Sequence, residues 1–364
     1  MLAFILGTRP EIIKMAPLIR ECEKQDTDYI LVHTGQHYSY EMDEIFFEEL
    51  ELPEANYMLG AGSGTDAEQI GKILIGAEAV LAKETPDIVL VEGDTNSVFA
   101  GACAAAKLHM HIGHVEAGLR SYDRYMPEEI NRVLTDHVSD FLFAPTADAR
   151  NNLLREGISA RNIFVAGNTV VDAVYQNLGI AQKRVDILGE LDLKGRSYFL
   201  ATSHRQENVD NKARLSGIIE GLSLLHYEFD VPVIFPAHPR TYKRMAEFNL
   251  TSNEIAPISP RGFLEFLLLE ANAKLVITDS GGVQEEACTL RVPCITLRNT
   301  TERPETLVVG SNVLVGTEPD RILAGARAIL SKPCDWINPF GEGKSAPRIM
   351  SILKSSLEAC GITI

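Results

Sequence analysis

Residues 87–115 read DIVLVEGDTNSVFAGACAAAKLHMHIGHV, and this stretch decides the fold. Its first part, residues 87–91, is aliphatic and β-branched and therefore predicts a buried strand. Residues 96–107 are rich in alanine and predict a closely packed helix, and residues 112–115 predict the next strand. A strand, a helix and a strand in this order indicate a right-handed βαβ unit and a parallel sheet.

The same alternation of strand and helix patterns continues on both sides of this stretch. Further strands are predicted at residues 2–6, 29–33, 141–144, 198–202, 232–235, 275–278 and 294–297. Residues 176–194 are charged and poorly periodic, and we expect the hinge there. The predicted fold class is therefore α/β, with two doubly wound, Rossmann-like domains facing a cleft lined by the carboxyl ends of both sheets.

Length and charge restrict the class of protein and its partners. At 364 residues the chain fits two domains of ordinary size. Its 34 lysine and arginine residues against 50 aspartate and glutamate residues give a formal net charge of −16. A field of this sign repels nucleic acid and anionic membranes, so we expect neither as a partner. Any anionic ligand must then be held by local arginines, backbone amides and helix N-termini.

Targeting signals and cysteine use predict a cytoplasmic protein. The apolar start, residues 1–7, is short and runs directly into charged residues, so we expect no signal peptide. No long uncharged apolar run predicts a membrane span. The six cysteines form no CxxC pair, which indicates free thiols in a reducing compartment.

Acidic side chains follow two of the predicted strands. Glu116 follows residues 112–115, and Asp94 follows residues 87–91. Carboxylates at the carboxyl ends of parallel strands lie where α/β folds bind ligands, and carboxylates in different environments are typical of proton transfer. Asp94 could also cap the helix that begins near Asn96. A capping role is compatible with a role as an acid or base.

A second acidic segment follows Pro127. Glu128 and Glu129 stand at a predicted helix start, with Arg132 close behind them. Complementing the helix dipole is an ordinary role for these two acids. That role does not explain Glu116, which precedes the segment.

Two strand-to-helix transitions suit an anionic ligand. Ser280-Gly281-Gly282 follows a predicted strand and opens a predicted helix. The free backbone amides of the first helical turn would then point at a bound phosphate. The alternative interpretation is an ordinary tight turn into a helix. Glu286, beyond the first turn, suits a ribose diol. Arg9 stands at the entrance of the first helix, beside the positive end of its dipole, and Lys14 lies one turn later.

Two histidines follow predicted strands of the second half, and a polar run follows another. His204 is a catalytic candidate, since a histidine can transfer a proton near neutral pH or donate a hydrogen bond to a phosphate. His204 and His238 each have an arginine nearby, which favours the handling of an anion over a purely structural role. Arg303 lies in the polar run and is expected to face the cleft.

Three histidines, His109, His111 and His114, raise the question of a zinc site. Their spacing matches no common zinc motif, so we expect no metal.

Seven segments together carry a resemblance that none of them carries alone. They are GTRPE (7–11), GDT (93–95), HVEAGLR (114–120), PEEINR (127–132), GNT (167–169), DSGGVQEE (279–286) and TTERPE (300–305). In this order, across nearly the whole chain, the sequence resembles the non-hydrolysing UDP-N-acetylglucosamine 2-epimerases.

The resemblance implies a fold of the glycosyltransferase-B type with the active site between two Rossmann-like domains. We expect residues 1–175 to carry the acid and base and residues 176–346 to bind UDP. The last helix, within residues 347–364, is expected to pack back onto the first domain. Family members are commonly homodimers, so a homodimer is expected here.

The resemblance also implies roles for individual residues and a chemistry. Residues with an implied role in binding UDP are Arg9, His204, Ser280, Gly282, Glu286 and Arg303. The implied acid/base carboxylates are Asp94, Glu116 and Glu128, with Arg132 near them and Lys14 in the same cleft. The substrate would lose its C2 proton and UDP to give 2-acetamidoglucal, and UDP would add back with reprotonation from the other face. This route needs no cofactor and no metal.

The resemblance leaves the exact sugar open. Residues 33–37 and 46–50 also resemble relatives that epimerise UDP-2,3-diacetamido-2,3-dideoxyglucuronate. The loop at residues 35–40 reads GQHYSY and lacks the arginine that shapes a regulatory site in many bacterial relatives. The sequence is also compatible with a sugar transferase on the same fold, with a hydrolysing relative and with a binding protein without catalysis.

Overall fold

The computed structural model describes residues 1–36, 46–250 and 255–359. The expectation for the loop at residues 35–40 therefore lies mostly outside the described residues. Contacts divide the chain into two compact α/β units. The first unit combines Met1–Ala173 with the chain from Phe340 onward, and the second is Val174–Pro339.

The first unit is built on a parallel sheet. Its strands are β1 Leu2–Leu6, β2 Tyr29–His33, β3 Tyr57–Met58, β4 Ile88–Glu92, β5 His111–Val115, β6 Phe141–Ala144 and β7 Ile163–Val165. Within the described residues they form one sheet in the order β3-β2-β1-β4-β5-β6-β7, and all pairs are parallel. The predicted α/β class with parallel strands is confirmed for this half.

Helices cover the two faces of this sheet. They are Arg9–Lys24, Asp66–Glu84, Asn96–Lys107, Pro127–Val138, Ala147–Arg155 and Ser345–Ala359. The alanine-rich helix packs as closely as its composition predicts, since a Cβ on Gly101 would stand only 2.9 Å from Ile5 Cγ2. Ile5 and the helix residues Val98, Ala102 and Ala105 belong to one buried cluster.

The second unit repeats this architecture. Its strands are β8 Phe199–Thr202, β9 Val233–Pro236, β10 Ile255–Ile258, β11 Leu275–Thr278, β12 Cys294–Thr296 and β13 Asn312–Leu314. They pair in the order β10-β9-β8-β11-β12-β13, again all parallel. The helices are Ile187–Glu190, Gln206–Val209, Lys212–Phe229, Pro239–Glu247, Phe263–Asn272, Gly281–Leu290, Pro304–Val308 and Pro319–Leu330.

The stretch at residues 176–194, where we expected the hinge, is largely helical. The helix Thr169–Arg184 continues through its first half, and Ile187–Glu190 forms another helical turn. The division between the two units falls inside the longer helix, after Ala173. Periodicity was hard to detect because the buried apolar residues at the helix start are followed by exposed positions at Tyr175 and Gln176.

The last described helix belongs to the first unit. Ser345–Ala359 packs against Arg9–Lys24, and Ile349, Met350 and Leu353 are fully buried on it. Its start is capped by Asp172, whose carboxylate accepts the backbone N–H of Ser345 at 3.1 Å and of Ala346 at 3.0 Å.

Candidate active site

The carboxyl ends of β1, β4 and β5 bring charged side chains to one edge of the first sheet. The three strands are neighbours and parallel, so the residues that follow them lie side by side. Lys14 Nζ lies 3.0 Å from Glu92 Oε1 and 2.6 Å from Glu116 Oε2. Only 13% of the Lys14 side chain is exposed, so this cation is enclosed between two buried carboxyl groups.

The backbone at the end of β5 aims Glu116 at Lys14. Its φ of +67° lies in the left-handed region, which a non-glycine residue seldom adopts. Asn168 Nδ2 donates to Glu116 Oε2 at 3.2 Å and contributes to holding the side chain there. An uncommon backbone conformation at a buried carboxylate is typical of a functional site.

Glu11 is a further buried carboxyl at this edge. Gly7 N donates to its Oε2 at 2.6 Å, and the Thr8 and Thr95 hydroxyls donate to its Oε1 at 2.9 and 2.5 Å. Burial, partly offset by these hydrogen bonds, raises the pKa of Glu11 to about 7. Glu11 therefore titrates near neutral pH.

The pKa of Glu92 is raised, as is that of Glu11. Burial raises the pKa of this carboxyl well above its usual range, and the ion pair with Lys14 only partly opposes the effect. Neighbouring Glu116 and Glu11 raise it further by repulsion between like charges. A buried carboxyl with such neighbours is typical of a functional site.

A second cation–carboxylate group lies beside the first. The Arg132 guanidinium donates through Nη2 to Asp94 and through Nη1 to Glu129 Oε2, the latter at 2.5 Å. Burial alone would raise the pKa of Glu129, but hydrogen bonds from Ser121, Tyr122 and Arg132 lower it. This arrangement fixes the Arg132 side chain and directs it at Asp94.

The predicted capping role of Asp94 is wrong. The helix Asn96–Lys107 has Thr95 at its N-cap and no side-chain cap. Asp94 instead pairs with Arg132, and the residue before it, Gly93, has a φ of +87°, in the left-handed region that favours glycine. Its backbone carbonyl accepts Asn131 Nδ2 at 3.0 Å.

Glu128 lies at the second position of the helix Pro127–Val138 and is exposed. It borders a cavity of about 260 Å³ that Thr95, Asn96 and Asn131 also line. The structure therefore brings Glu128 near the Asp94 segment without joining its carboxylate to Arg132. An exposed carboxylate at a cavity is open to a ligand.

The contacts of His114 indicate a structural role. Its Nδ1 lies 2.7 Å from Asp136 Oδ1, and its Nε2 lies 2.8 Å from the carbonyl oxygen of Gly93. Both ring nitrogens thus face acceptors inside the protein. Among the described residues, no group of three or more His, Cys, Asp or Glu side chains is arranged to hold a metal ion.

Arg9 opens the first helix, as predicted, and its side chain has an aromatic neighbour. The helix begins at Arg9 after the N-cap Thr8, with Pro10 in its first turn. The guanidinium carbon lies 5.3 Å from the centroid of the Phe46 ring. A cation at this distance from an aromatic ring is attracted to its face.

The Ser280-Gly281-Gly282 turn in the second unit has the geometry of an anion cradle. Ser280 is the N-cap of the helix Gly281–Leu290, and its own side chain makes no cap hydrogen bond. A Cβ added to Gly281 would meet nothing within 4 Å, and one on Gly282 would meet only Ser280 Oγ at 4.0 Å. The first-turn amides therefore face open space, where a phosphate can approach.

Of the two predicted histidines, His204 lies beside the same turn, and His238 lies near His204. The fully buried carboxylate of Asp279 accepts Ser203 Oγ at 2.7 Å and the backbone N–H of His204 at 3.1 Å, which fixes the segment after β8. The His204 ring stays 46% exposed. Burial, together with the nearby charges of His204 and Arg240, lowers the pKa of His238. The two histidines are thus close enough to influence each other.

The remaining predicted residues of the second unit have acidic partners. Arg303 Nε lies 2.7 Å from Glu285 Oε1, and Glu285 is almost fully buried. Glu286 lies beside Glu270, whose pKa is raised well above its usual range by burial and then by Glu286. Neither arrangement was predicted.

The sequence patterns gave no individual role to four buried acids. Glu92 and Glu270 belonged to no motif, and Glu11 and Asp279 were noted only as parts of motifs. The signal for Glu92 was a charge at the end of an otherwise aliphatic strand, IVLVE. Asp279 offered a similar signal, since it directly follows β11.

No helix in residues 1–36, 46–250 or 255–359 combines the length and apolar character needed to cross a membrane.

Comparison with known proteins identifies the family. The family model described as UDP-N-acetylglucosamine 2-epimerase matches residues 20–354. A UDP-N-acetylglucosamine 2-epimerase of Methanocaldococcus jannaschii is 57% identical over 359 residues, which cover 97% of this chain and 98% of that protein. The crystal structure of the UDP-GlcNAc 2-epimerase of that organism, in complex with UDP-GlcNAc and UDP, matches with a TM-score of 0.87 and covers 97% of this chain and 99% of its own.

Two further relatives define the breadth of the similarity. A UDP-2,3-diacetamido-2,3-dideoxy-D-glucuronate 2-epimerase of Pseudomonas aeruginosa is 43% identical over 353 residues, covering 96% of this chain and 98% of that protein. A glycosyltransferase of Rickettsia africae, only 14% identical, shares the fold with a TM-score of 0.61 over 98% of each chain. The predicted glycosyltransferase-B type of fold agrees with these neighbours. The chain belongs to the family of UDP-N-acetylglucosamine 2-epimerases, as its seven sequence segments predicted.

Proposed function

We propose that this enzyme interconverts UDP-N-acetylglucosamine and UDP-N-acetylmannosamine by inverting C2. The observation that carries the proposal is the pair of cation–carboxylate contacts at one sheet edge, Lys14 with Glu116 and Arg132 with Asp94. Inversion needs a base on one face of C2 and an acid on the other. Two carboxylates held by separate cations in one unit are suited to act one as the base and the other as the acid.

The proposed reaction runs through elimination and addition. A carboxylate takes the C2 proton, the electrons of the C2–H bond form the C1–C2 double bond, and UDP leaves with the electrons of the C1–O bond. The product of this step is 2-acetamidoglucal. UDP oxygen then attacks C1 again while a carboxyl group delivers a proton to the opposite face of C2. Asp94, Glu116 and Glu128 are the candidates for these proton transfers.

The second unit supports the binding of the leaving group. The open helix start at Ser280, Gly281 and Gly282 is suited to the diphosphate. Arg303 and His204 would add positive charge and hydrogen-bond donors, and Glu286 would bind the ribose. Arg9, Lys14 and His238 complete the proposed contacts of the substrate. Neutralising the diphosphate makes UDP a better leaving group, because the developing charge is stabilised.

Proton NMR of UDP-N-acetylglucosamine incubated with the protein in D2O tests this function. We expect UDP-N-acetylmannosamine to form and to carry deuterium at C2, because its C2 proton comes from the solvent. The same incubation with Glu116→Gln is the control and is expected to form product more slowly by about 100-fold or more. Binding of the nucleotide without any product in the wild-type sample would exclude the proposed reaction.

A second candidate substrate is UDP-2,3-diacetamido-2,3-dideoxyglucuronate. It is favoured by the 43% identity to the P. aeruginosa enzyme that bears this substrate in its name. The sugar carries an additional carboxylate at C6, which needs a cation in the site. Comparing kcat/KM for the two sugar nucleotides decides between them, since the cognate substrate gives the higher value.

We also propose that the protein is a cytoplasmic homodimer whose first unit carries the acid and base and whose second unit binds UDP. Ile130 and Leu134, one turn apart on the helix Pro127–Val138, are each 42% exposed, which supports burial against a second copy.

The five described cysteines are all free, which supports a reducing compartment. The product of the enzyme would serve polysaccharide synthesis. Light scattering tests the proposed homodimer and should give twice the chain mass of 40.0 kDa.

A further inference from the structure

Glu270 is a fully buried acid of the second unit that the proposed function leaves without a role. It lies in the last turn of the helix Phe263–Asn272, and none of its surface is exposed. Leu267 and Leu269 on the same helix are buried as completely. A carboxyl group in such surroundings is costly to bury unless it is neutral or well partnered, so its presence calls for an explanation.

The surroundings of Glu270 do not stabilise a carboxylate. Within the described residues, neither of its oxygens accepts a hydrogen bond. Burial, and then the neighbouring Glu286 carboxyl, raise the pKa of Glu270 well above its usual range. Cys294 on β12 is a further neighbour, and its thiol is neutral because burial, and then Glu270, raise its pKa. A buried acid in these surroundings is protonated near neutral pH.

The O–H group of a protonated Glu270 has an acceptor in Glu286. The two carboxyl groups lie within hydrogen-bond distance of each other. Glu286 is only half-buried, whereas Glu270 is enclosed. The negative charge of the pair is therefore less costly on Glu286, which water can reach, and the proton belongs on Glu270. This assignment follows from the burial of Glu270 and holds whatever else Glu286 contacts.

Glu286 lies on the same helix face as the anion cradle at Ser280-Gly281-Gly282. Gly282 and Glu286 are four positions apart in the helix Gly281–Leu290, so they are neighbours on its surface. A nucleotide whose diphosphate lies at the open first turn can place its ribose one helical turn further along. A carboxylate at that position can accept hydrogen bonds from both hydroxyls of the ribose diol.

We propose that Glu270 is a positioning residue whose neutral carboxyl donates a hydrogen bond to Glu286 and holds Glu286 as an ionised, oriented acceptor for the ribose hydroxyls of the uridine nucleotide. The inference rests on the proposed function, in which Glu286 binds the ribose. Glu270 is enclosed and does not itself touch the nucleotide. A carboxylate that is already held by a buried donor loses less conformational freedom when the ligand binds, so the contact with the ribose is stronger.

The test measures the binding of UDP and of 2′,3′-dideoxy-UDP by calorimetry in the wild-type protein, Glu270→Gln and Glu270→Met. The dideoxy nucleotide lacks both hydroxyls and is otherwise the same, so the ratio of the two Kd values isolates the contact with the ribose. The glutamine amide keeps an N–H donor for Glu286. Methionine keeps the length of the side chain without a donor, and because it is apolar it suits the buried position, so this variant should fold.

We expect the wild-type protein to bind UDP more tightly than the dideoxy nucleotide by about tenfold or more, because hydrogen bonds to a carboxylate are lost. Glu270→Gln should keep this preference within about twofold. Glu270→Met should lower it to about threefold or less, while the Kd for the dideoxy nucleotide stays within about twofold in all three proteins. A purely structural role of Glu270 would instead weaken the binding of both nucleotides alike.

Infrared difference spectroscopy tests the protonation of Glu270 without any nucleotide. In D2O near neutral pH, the wild-type protein should show the carbonyl stretch of a protonated carboxyl that Glu270→Gln lacks, since the other buried acids contribute equally to both spectra. The inference is overturned if the two spectra agree in this band, if Glu270→Met keeps the full preference for UDP, or if Glu270→Gln loses as much of it as Glu270→Met. A wild-type enzyme that epimerises neither sugar nucleotide would refute the proposed reaction instead, and the Kd ratios and the infrared band would still decide the role of Glu270.

Discussion

Lys14 Nζ lies 2.6 Å from Glu116 Oε2, an ion pair between positions that are 102 residues apart in the chain. Because Glu116 is the most enclosed of the proposed acid/base carboxylates, we expect Glu116→Gln to lower kcat by about 100-fold or more. The amide keeps the shape of the side chain but cannot take a proton. Binding of UDP, measured by calorimetry, should stay within about twofold of the wild type.

Glu247→Gln is a suitable control for this substitution. Glu247 forms ion pairs with Lys243 and Arg244 on an exposed helix face of the second unit. Exposed pairs contribute about 1 kcal/mol or less, so activity and stability should hardly change. Turnover that survives in Glu116→Gln would show that another carboxylate carries the proton transfer.

Glu11 should make stability depend on pH. Its pKa is about 7 in the folded protein and 4.5 as the ordinary value, so the folded state binds this proton more tightly than the unfolded state. The stability from this group is therefore fully present below pH 4.5 and is lost as the pH rises through about 7. The loss is on the order of 3 kcal/mol.

The measurement is the melting temperature of the wild type and of Glu11→Gln from pH 4.5 to 8. The pH slope is the readout, because the amide also alters the hydrogen bond from Gly7. We expect the variant to lose less stability than the wild type between acid and neutral pH. Parallel curves for the two proteins would show that Glu11 does not titrate in this range.

Gly282→Ala should separate ligand binding from folding. The added methyl group meets only Ser280 Oγ at 4.0 Å, so the helix start accommodates it. The same methyl would occupy the space through which a phosphate approaches the backbone amides. We expect the melting temperature to stay equal or rise slightly, and the Kd for UDP to increase by about tenfold, equivalent to about 1.4 kcal/mol.

Gly179→Ala is the matched control. Gly179 lies in the helix Thr169–Arg184, and a Cβ added there meets nothing within 4 Å. It should stabilise the helix to a similar degree and leave UDP binding unchanged. Equal UDP affinity in both alanine variants would place the phosphates away from Gly282.

Asp172 should stabilise the last described helix. Its carboxylate accepts the first N–H groups of Ser345–Ala359, so Asp172→Ala leaves two buried donors without their acceptor. We expect the free energy of unfolding to fall by about 1–2 kcal/mol, as for the loss of a helix cap. Asp172→Asn keeps an acceptor oxygen and should lose less. Denaturant titration measures both, and equal stability of all three proteins would refute the capping role.

Much of the fold could be predicted because its buried parallel strands are continuous aliphatic runs. The strand–helix–strand unit at residues 87–115 is correct to within a residue or two at each end. Strands β3, β7, β10 and β13 were missed, since runs of two to four residues show little detectable period. Each of them is held by pairing with the strand that precedes it in the chain, which a local pattern does not reveal.

The site was predictable in part. The motifs indicated Glu116, Asp94, Lys14 and Arg132, but they could not show which cation pairs with which acid. Lys14 reaches across to Glu92 and Glu116 because adjacent strand ends meet in the sheet, which sequence distance conceals. The predicted cap at Asp94 was wrong because the local pattern carries no information about Arg132, 38 residues away.

Synthesis of the first unit begins before that of the second unit, but the first unit is completed last. All residues of the second unit, Val174–Pro339, have been made by the time residue 339 leaves the ribosome. The first unit begins earlier, yet Cys22, whose Sγ lies 4.0 Å from Met350 Sδ, stays without its full cover until the helix Ser345–Ala359 has emerged. The nascent first unit therefore exposes an apolar helix face throughout translation of the second, and this is the interval in which a chaperone has most to protect.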